Sequence, residues 1–155
     1  MSHVQQIDVS VSAWSELDAD KAFTQASRAR GRAALVARLR RTRLGLTVFD
    51  ETRRSRSHSG RGVREIPLDA IKGTTEPNRA AQFDREFRPA KLTRRRWQRV
   101  WLAFHRGATL PPISVVQFGD AYAIRDGHHR VSVAKALGAP SALATDTRWC
   151  PSRIA

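Results

Sequence analysis

The stretch Tyr122–Gly138, YAIRDGHHRVSVAKALG, decides how this chain is read. Ala121–Arg125 reads as a strand, Asp126-Gly127 turns the chain, and His128–Leu137 has helical spacing closed by Gly138. The first turn of any helix carries unpaired N–H groups and a partial positive charge, so its mouth favours an anion. Gly127 lets the backbone approach closely, and His128, His129 and Arg130 add donors where a phosphate would sit. At about 100° per residue, Val131, Val133, Ala134 and Leu137 span one arc that faces the core, and Arg130 falls inside it. An arginine placed there needs a partner. A bidentate phosphate is one solution, and a buried pair with Asp126 or Glu76 is the other. Asp126 either caps the helix or, as a hard oxygen ligand, holds Mg²⁺ beside a nucleotide phosphate. His128 and His129 are neighbours on a helix and point about 100° apart, which is poor geometry for chelating one metal ion.

Working outward, Ile113–Phe118 (ISVVQF) is a strand, and the tight turn Gly119-Asp120 joins it to Ala121–Arg125 as a hairpin. Upstream, Thr93–Arg106 is an amphipathic helix ended by Gly107. Trp97, Val100, Trp101 and Phe104 share its core face, and Arg95, Arg99 and Arg106 share the opposite one. Gly73–Pro89 is polar and punctuated by Gly and Pro, as a long functional loop or lid would be. Val63–Ile71 reads as a short strand and turn, and a last short strand lies around Ala142–Thr145. The order βαββαβ with mixed pairing implies an α+β fold, a small mixed sheet with packed helices.

Before this unit, Ser15 followed by Asp18 marks a helix start. The Ala/Leu/Arg-rich run to about Arg43 continues that helix, with a thin apolar stripe at Leu35, Val36 and Leu39. Thr52–Gly62 (TRRSRSHSGRG) reads as a basic linker. The expected organisation is a helical, arginine-rich extension and linker over 1–62 and a globular domain over 63–150.

A chain of 155 residues buries a real core without staples. Its single cysteine, Cys150, excludes a disulfide framework and a cysteine-based zinc site. No apolar run approaches the roughly 18 residues of a bilayer span. The N-terminus lacks the pattern of a signal peptide, so a cytoplasmic location is expected. The formal net charge is +14 with a pI near 11.6. Residues 1–27 carry −3, 28–64 carry +10 and 65–155 carry +7, so the middle block dominates. Such a balance favours polyanionic partners, although arginine outnumbers lysine 24 to 4, a bias that GC-rich coding also produces. The candidate nucleic-acid contacts are Arg38, Arg40, Arg41, Arg43, Arg53, Arg54, Arg95 and Arg99. With no base-reading element, DNA contacts through these would be to phosphates, salt-dependent and with little sequence specificity.

The strand–DGHHR–helix unit resembles the phosphate-binding motif of the ParB/sulfiredoxin superfamily. The order IPLDAI (Ile66–Ile71), a Glu76-Pro77-Asn78-Arg79 loop, a helix, a hairpin and then DGHHRVSVAKALG is similar to a ParB N-terminal domain over about residues 63–146. The resemblance implies CTP or ATP/ADP phosphates bound with Mg²⁺. Gly127, His129 and Arg130 would be phosphate ligands beside His128, with Pro77, Asn78 and Arg79 in the facing loop. Sulfiredoxins carry their catalytic cysteine where this chain has His128, so sulfinic-acid repair is not expected. Chromosome-partitioning ParB proteins carry Gly-Glu-Arg-Arg there and continue into a helix-turn-helix and a dimerisation tail. This sequence, ending at Ala155, is expected to have neither. The DGHHR spelling is closer to the free-serine-kinase branch, where a carboxylate activates the substrate hydroxyl. That analogy makes Glu76, or secondarily Asp126, the candidate base of a phosphotransferase or nucleotide hydrolase. A nucleotide-binding module acting near DNA, a small enzyme, and a weak anion binder working through protein contacts all remain open, as does a homodimer.

Overall fold

The computed structural model describes residues 15–50 and 59–148. Its elements are α1 (Glu16–Leu39), β1 (Thr47–Val48), β2 (Ser59–Pro67), β3 (Ile71–Thr74), α2 (Pro77–Ala80), α3 (Arg94–His105), β4 (Ile113–Phe118), β5 (Ala121–Asp126), α4 (His128–Ala136) and β6 (Ser141–Arg148). The fold is α+β. Six strands form one mixed sheet in the order β1-β3-β5-β4-β6-β2. The β4–β5 hairpin and the β2–β6 pair are antiparallel, whereas β1–β3, β3–β5 and β4–β6 are parallel. β-Branched and aromatic residues supply the buried strand positions, notably Ile71, Val115, Val116, Tyr122 and Ile124.

Two cores meet at α4. One lies on the sheet, where Ile66, Leu68, Ile71, Val115, Ile124 and Val131 pack with Phe83 and Phe87. The other joins α1, α3 and α4 through Ala19, Phe23, Trp97, Trp101 and Val133. α4 therefore has apolar partners on both sides, and residues 128, 129 and 131–133 are all buried. Trp97 is fully buried, meets Phe23 edge-on at 5.6 Å, and donates its indole N–H to Ser132 Oγ at 2.9 Å.

Three expectations are corrected here. The α1 start is as read, with Ser15 and Asp18 closing a reciprocal capping box. The packed face is different, however: Leu35, Val36 and Leu39 are exposed, while Ala19 and Phe23 are buried. Alanine spacing hid that face, because small residues give little contrast against arginine in an apolar pattern. The supposed linker Thr52–Gly62 lies partly outside the described residues, but 59–62 begin β2. Gly73–Pro89 is more ordered than a long polar loop. It contains the end of β3 and the single turn of α2, and is anchored by Phe83 and Phe87. Buried Asp84 accepts the backbone N–H groups of Glu86 and Arg88 at 3.0 and 2.9 Å, which satisfies the turn between those two rings.

α1 and β1, both within 1–62, pack on α3 and β3 respectively. Gly73 allows the latter contact: a Cβ there would come within 2.1 Å of the Thr47 carbonyl oxygen.

Candidate functional site

β5 ends at Asp126, and Gly127 turns into α4 with φ +105°. A Cβ at Gly127 would sit 2.6 Å from Ile113 Cγ2 and 3.1 Å from Arg130 Nε. Glycine is thus required twice, for the left-handed backbone and for the close approach. The turn carries no side-chain cap, so Asp126 does not cap α4.

A cavity of about 410 Å³ opens at this helix mouth. Its lining brings together Glu76, Arg79, Asp126, Gly127, His128, His129 and Arg130, all singled out in the sequence. Pro77 and Asn78 lie in the first turn of α2 and do not line it. Arg96 of α3 and Arg125 of β5 do line it, and the sequence reading missed both. Arg96 had a visible signal: on the helical wheel it falls beside Val100, at the flank of the aromatic face. The cavity thus has four arginines and two acidic residues in its lining, at the positive end of a helix. A larger hollow of about 780 Å³ between α1, α3 and α4 is also mixed, with Arg32, Arg88 and Lys135 against Asp69 and Glu86, but it lies at the C-terminal end of α4, where the helix offers no free N–H groups.

Arg130 donates to Asp126 Oδ2 at 2.9 Å and to the Pro111 carbonyl at 2.7 Å. The Arg–Asp pairing weighed in the sequence is the arrangement present. It is lopsided, with the Arg130 side chain 16% exposed and that of Asp126 73% exposed.

The two histidines are held against one aromatic ring. His128 is buried, its Nε2 lies 2.7 Å from Thr74 Oγ1, and its ring stacks on Phe83. His129 meets Phe83 edge-on. Burial, reinforced by Arg79, pushes His128 down to about 4. Burial, reinforced by Arg96, does the same to His129. Both are neutral rings at neutral pH. A histidine depressed on folding is protonated first in the unfolded chain. Its stabilising contribution is therefore complete above an unfolded pKa near 6.5 and is lost as pH falls towards about 4. We expect thermal stability to drop across pH 6.5–4 by up to about 3 kcal/mol per histidine, and His128→Gln to flatten that drop in melts run at both ends of the window.

Among the described residues, no group of three or more His, Cys, Asp or Glu is gathered as a metal cage. Two carboxylates lining one cavity fit a Mg²⁺ ion that keeps most of its water and takes phosphate oxygens, which is how this ion usually binds. Arg38, Arg40, Arg41, Arg43, Arg95 and Arg99 are exposed, on or beside α1 and on α3, and are not among the lining residues. Arg53 and Arg54 lie outside the described residues. No described helix is long and apolar enough to cross a membrane. No family model, curated protein or solved structure matches the chain.

Proposed function

We propose that the chain is a ParB/sulfiredoxin-like nucleotide-binding module that takes the phosphates of CTP or ATP/ADP at the mouth of α4. The observation that carries this reading is the convergence of Arg79, Arg96, Arg125 and Arg130 on one cavity at that helix start. Arg130 offers a planar fork, and the open first turn of α4 offers backbone N–H groups. Asp126 would hold Mg²⁺ on the nucleotide, where the ion would neutralise phosphate charge. The exposed arginines at the C-terminal end of α1 would carry duplex DNA contacts through phosphates, without base readout.

The test is a thermal-shift panel of CTP, ATP, ADP and GTP with Mg²⁺, since a ligand at 100 times its Kd adds about 2.7 kcal/mol. Absence of stabilisation by every nucleotide would sink the reading. For DNA, removing residues 1–62 is unsuitable, because it would uncover Trp97 and Trp101. The quadruple change of Arg38, Arg40, Arg41 and Arg43 to Gln leaves the packed face intact. It should weaken duplex binding and flatten its salt dependence.

Because Glu76 lines the same cavity, a phosphotransferase or nucleotide hydrolase of the free-serine-kinase type is the second reading. Here Glu76 would take the proton of the attacking hydroxyl or water. Glu76→Gln should keep the nucleotide-induced shift and lose about 10²–10⁴-fold in phosphate release or transfer. Equal turnover by variant and wild type would remove Glu76 from the chemistry.

A further inference from the structure

Thr74 is fully buried at the end of β3, and its hydroxyl touches three separate segments. The backbone N–H of Glu76 reaches Oγ1 at 2.9 Å, the Ile124 carbonyl of β5 lies at 3.1 Å, and His128 Nε2 of α4 lies at 2.7 Å. A hydroxyl has one proton and two lone pairs. The Glu76 amide can only donate, so it takes one lone pair. The Ile124 carbonyl can only accept; it already takes the Thr75 N–H at 2.9 Å and still lies within reach of the hydroxyl proton. All three contacts of the hydroxyl are made at once only if His128 Nε2 carries its own proton and donates to the remaining lone pair. The hydroxyl thus fixes the tautomer of a histidine that lines the cavity. Nδ1 is left as an acceptor without a hydrogen-bond partner among the described residues.

We propose that Thr74 is the positioning residue of this site: it locks His128 with Nε2 protonated and Nδ1 bare, so the cavity selects a ligand bearing a hydroxyl or amine donor beside its phosphate. This rests on the nucleotide reading. In a cavity rich in guanidinium donors, acceptors are scarce, and a bare ring nitrogen distinguishes a nucleotide from a plain polyphosphate. The same hydroxyl holds the Glu76 backbone, so one buried group sets both the carboxylate-bearing turn and the imidazole.

The experiment has a ligand-independent arm and a binding arm, both on the full chain. Long-range proton–nitrogen NMR at neutral pH, with His128 assigned by its absence in His128→Gln, should show Nε2 protonated in wild type and in Thr74→Ser. Thr74→Val should show mixed tautomers. In titrations with Mg²⁺, Thr74→Val should lose about two- to tenfold in affinity for ADP, set by the fraction of rings that keep Nδ1 bare. Its affinity for inorganic pyrophosphate should be nearly unchanged, and Thr74→Ser should match wild type for both probes. A wild-type spectrum with Nδ1 protonated overturns the proposal even if ADP binds, and does so whether or not Thr74→Val folds. Unchanged ADP affinity in Thr74→Val, or an equal loss for both probes, also overturns it. If wild type responds to neither probe nor any nucleotide, the functional reading falls and the proposal with it.

Discussion

Arg130→Ala is expected to abolish the nucleotide-induced thermal shift while leaving the protein folded. The two halves of that expectation have separate causes. Among the described residues Arg130 donates to Asp126 and to the Pro111 carbonyl, and its side chain is largely buried while Asp126 is well solvated, so its loss should cost about 1–3 kcal/mol, a share that leaves an average domain folded. A phosphate loses its bidentate fork, a deficit of about 10²-fold or roughly 2.7 kcal/mol. Arg130→Lys should recover only part of it, because an ammonium cannot reproduce the planar pair of donors. An Arg130→Ala protein that binds every nucleotide as wild type does would show that the phosphate does not sit at the α4 mouth.

The largest loss of stability is expected from Trp97→Ala. Trp97 lies between Phe23 of α1 and Ser132 of α4, and its indole N–H is the hydrogen-bond partner of the buried Ser132 hydroxyl. Removing so large a buried ring typically costs about 3–5 kcal/mol, a large share of the 5–15 kcal/mol that holds an average domain. In a chain of this size the midpoint should fall by about 10 °C or more. Trp97→Phe keeps most of the ring and orphans only Ser132, so it should cost about 1–3 kcal/mol. A Trp97→Ala melt within a couple of degrees of wild type would mean that α1 contributes little to the fold.

What the sequence made legible was local. The ISVVQF and AYAIRD runs around Gly119-Asp120 are alternating strands about a tight turn, and they are the β4–β5 hairpin. Asp126-Gly127 before a helical run marks the one glycine that the α4 junction cannot replace. The aromatic face of α3 was visible in part from spacing: Trp97 and Trp101 are buried and Val100 half-buried, whereas Phe104, assigned to the same face, is exposed. What stayed hidden depends on partners distant in the chain. Phe83 and Phe87 sit among polar residues and read as loop, yet they fill the sheet core. β1 is two residues long and exists because β3 lies alongside it. The Thr74–His128 contact joins residues 54 apart, which no local pattern encodes.

The sheet's outer strand β2 has a further consequence for behaviour at high concentration. β2 is nine residues long and ends the strand order, so one row of its backbone donors and acceptors has no neighbouring strand among the described residues. Such an edge invites pairing with a second chain and, through it, aggregation. The pairing with β6 slips between Gly60 and Val63, where Gly62 takes φ +53°, and the strand closes on Pro67, which has no N–H to offer. An incoming strand would meet a kinked template with a missing donor at its end. The opposite edge, β1, offers only Thr47 and Val48. The sheet is therefore guarded on both flanks, which disfavours growth of the molecule by strand addition.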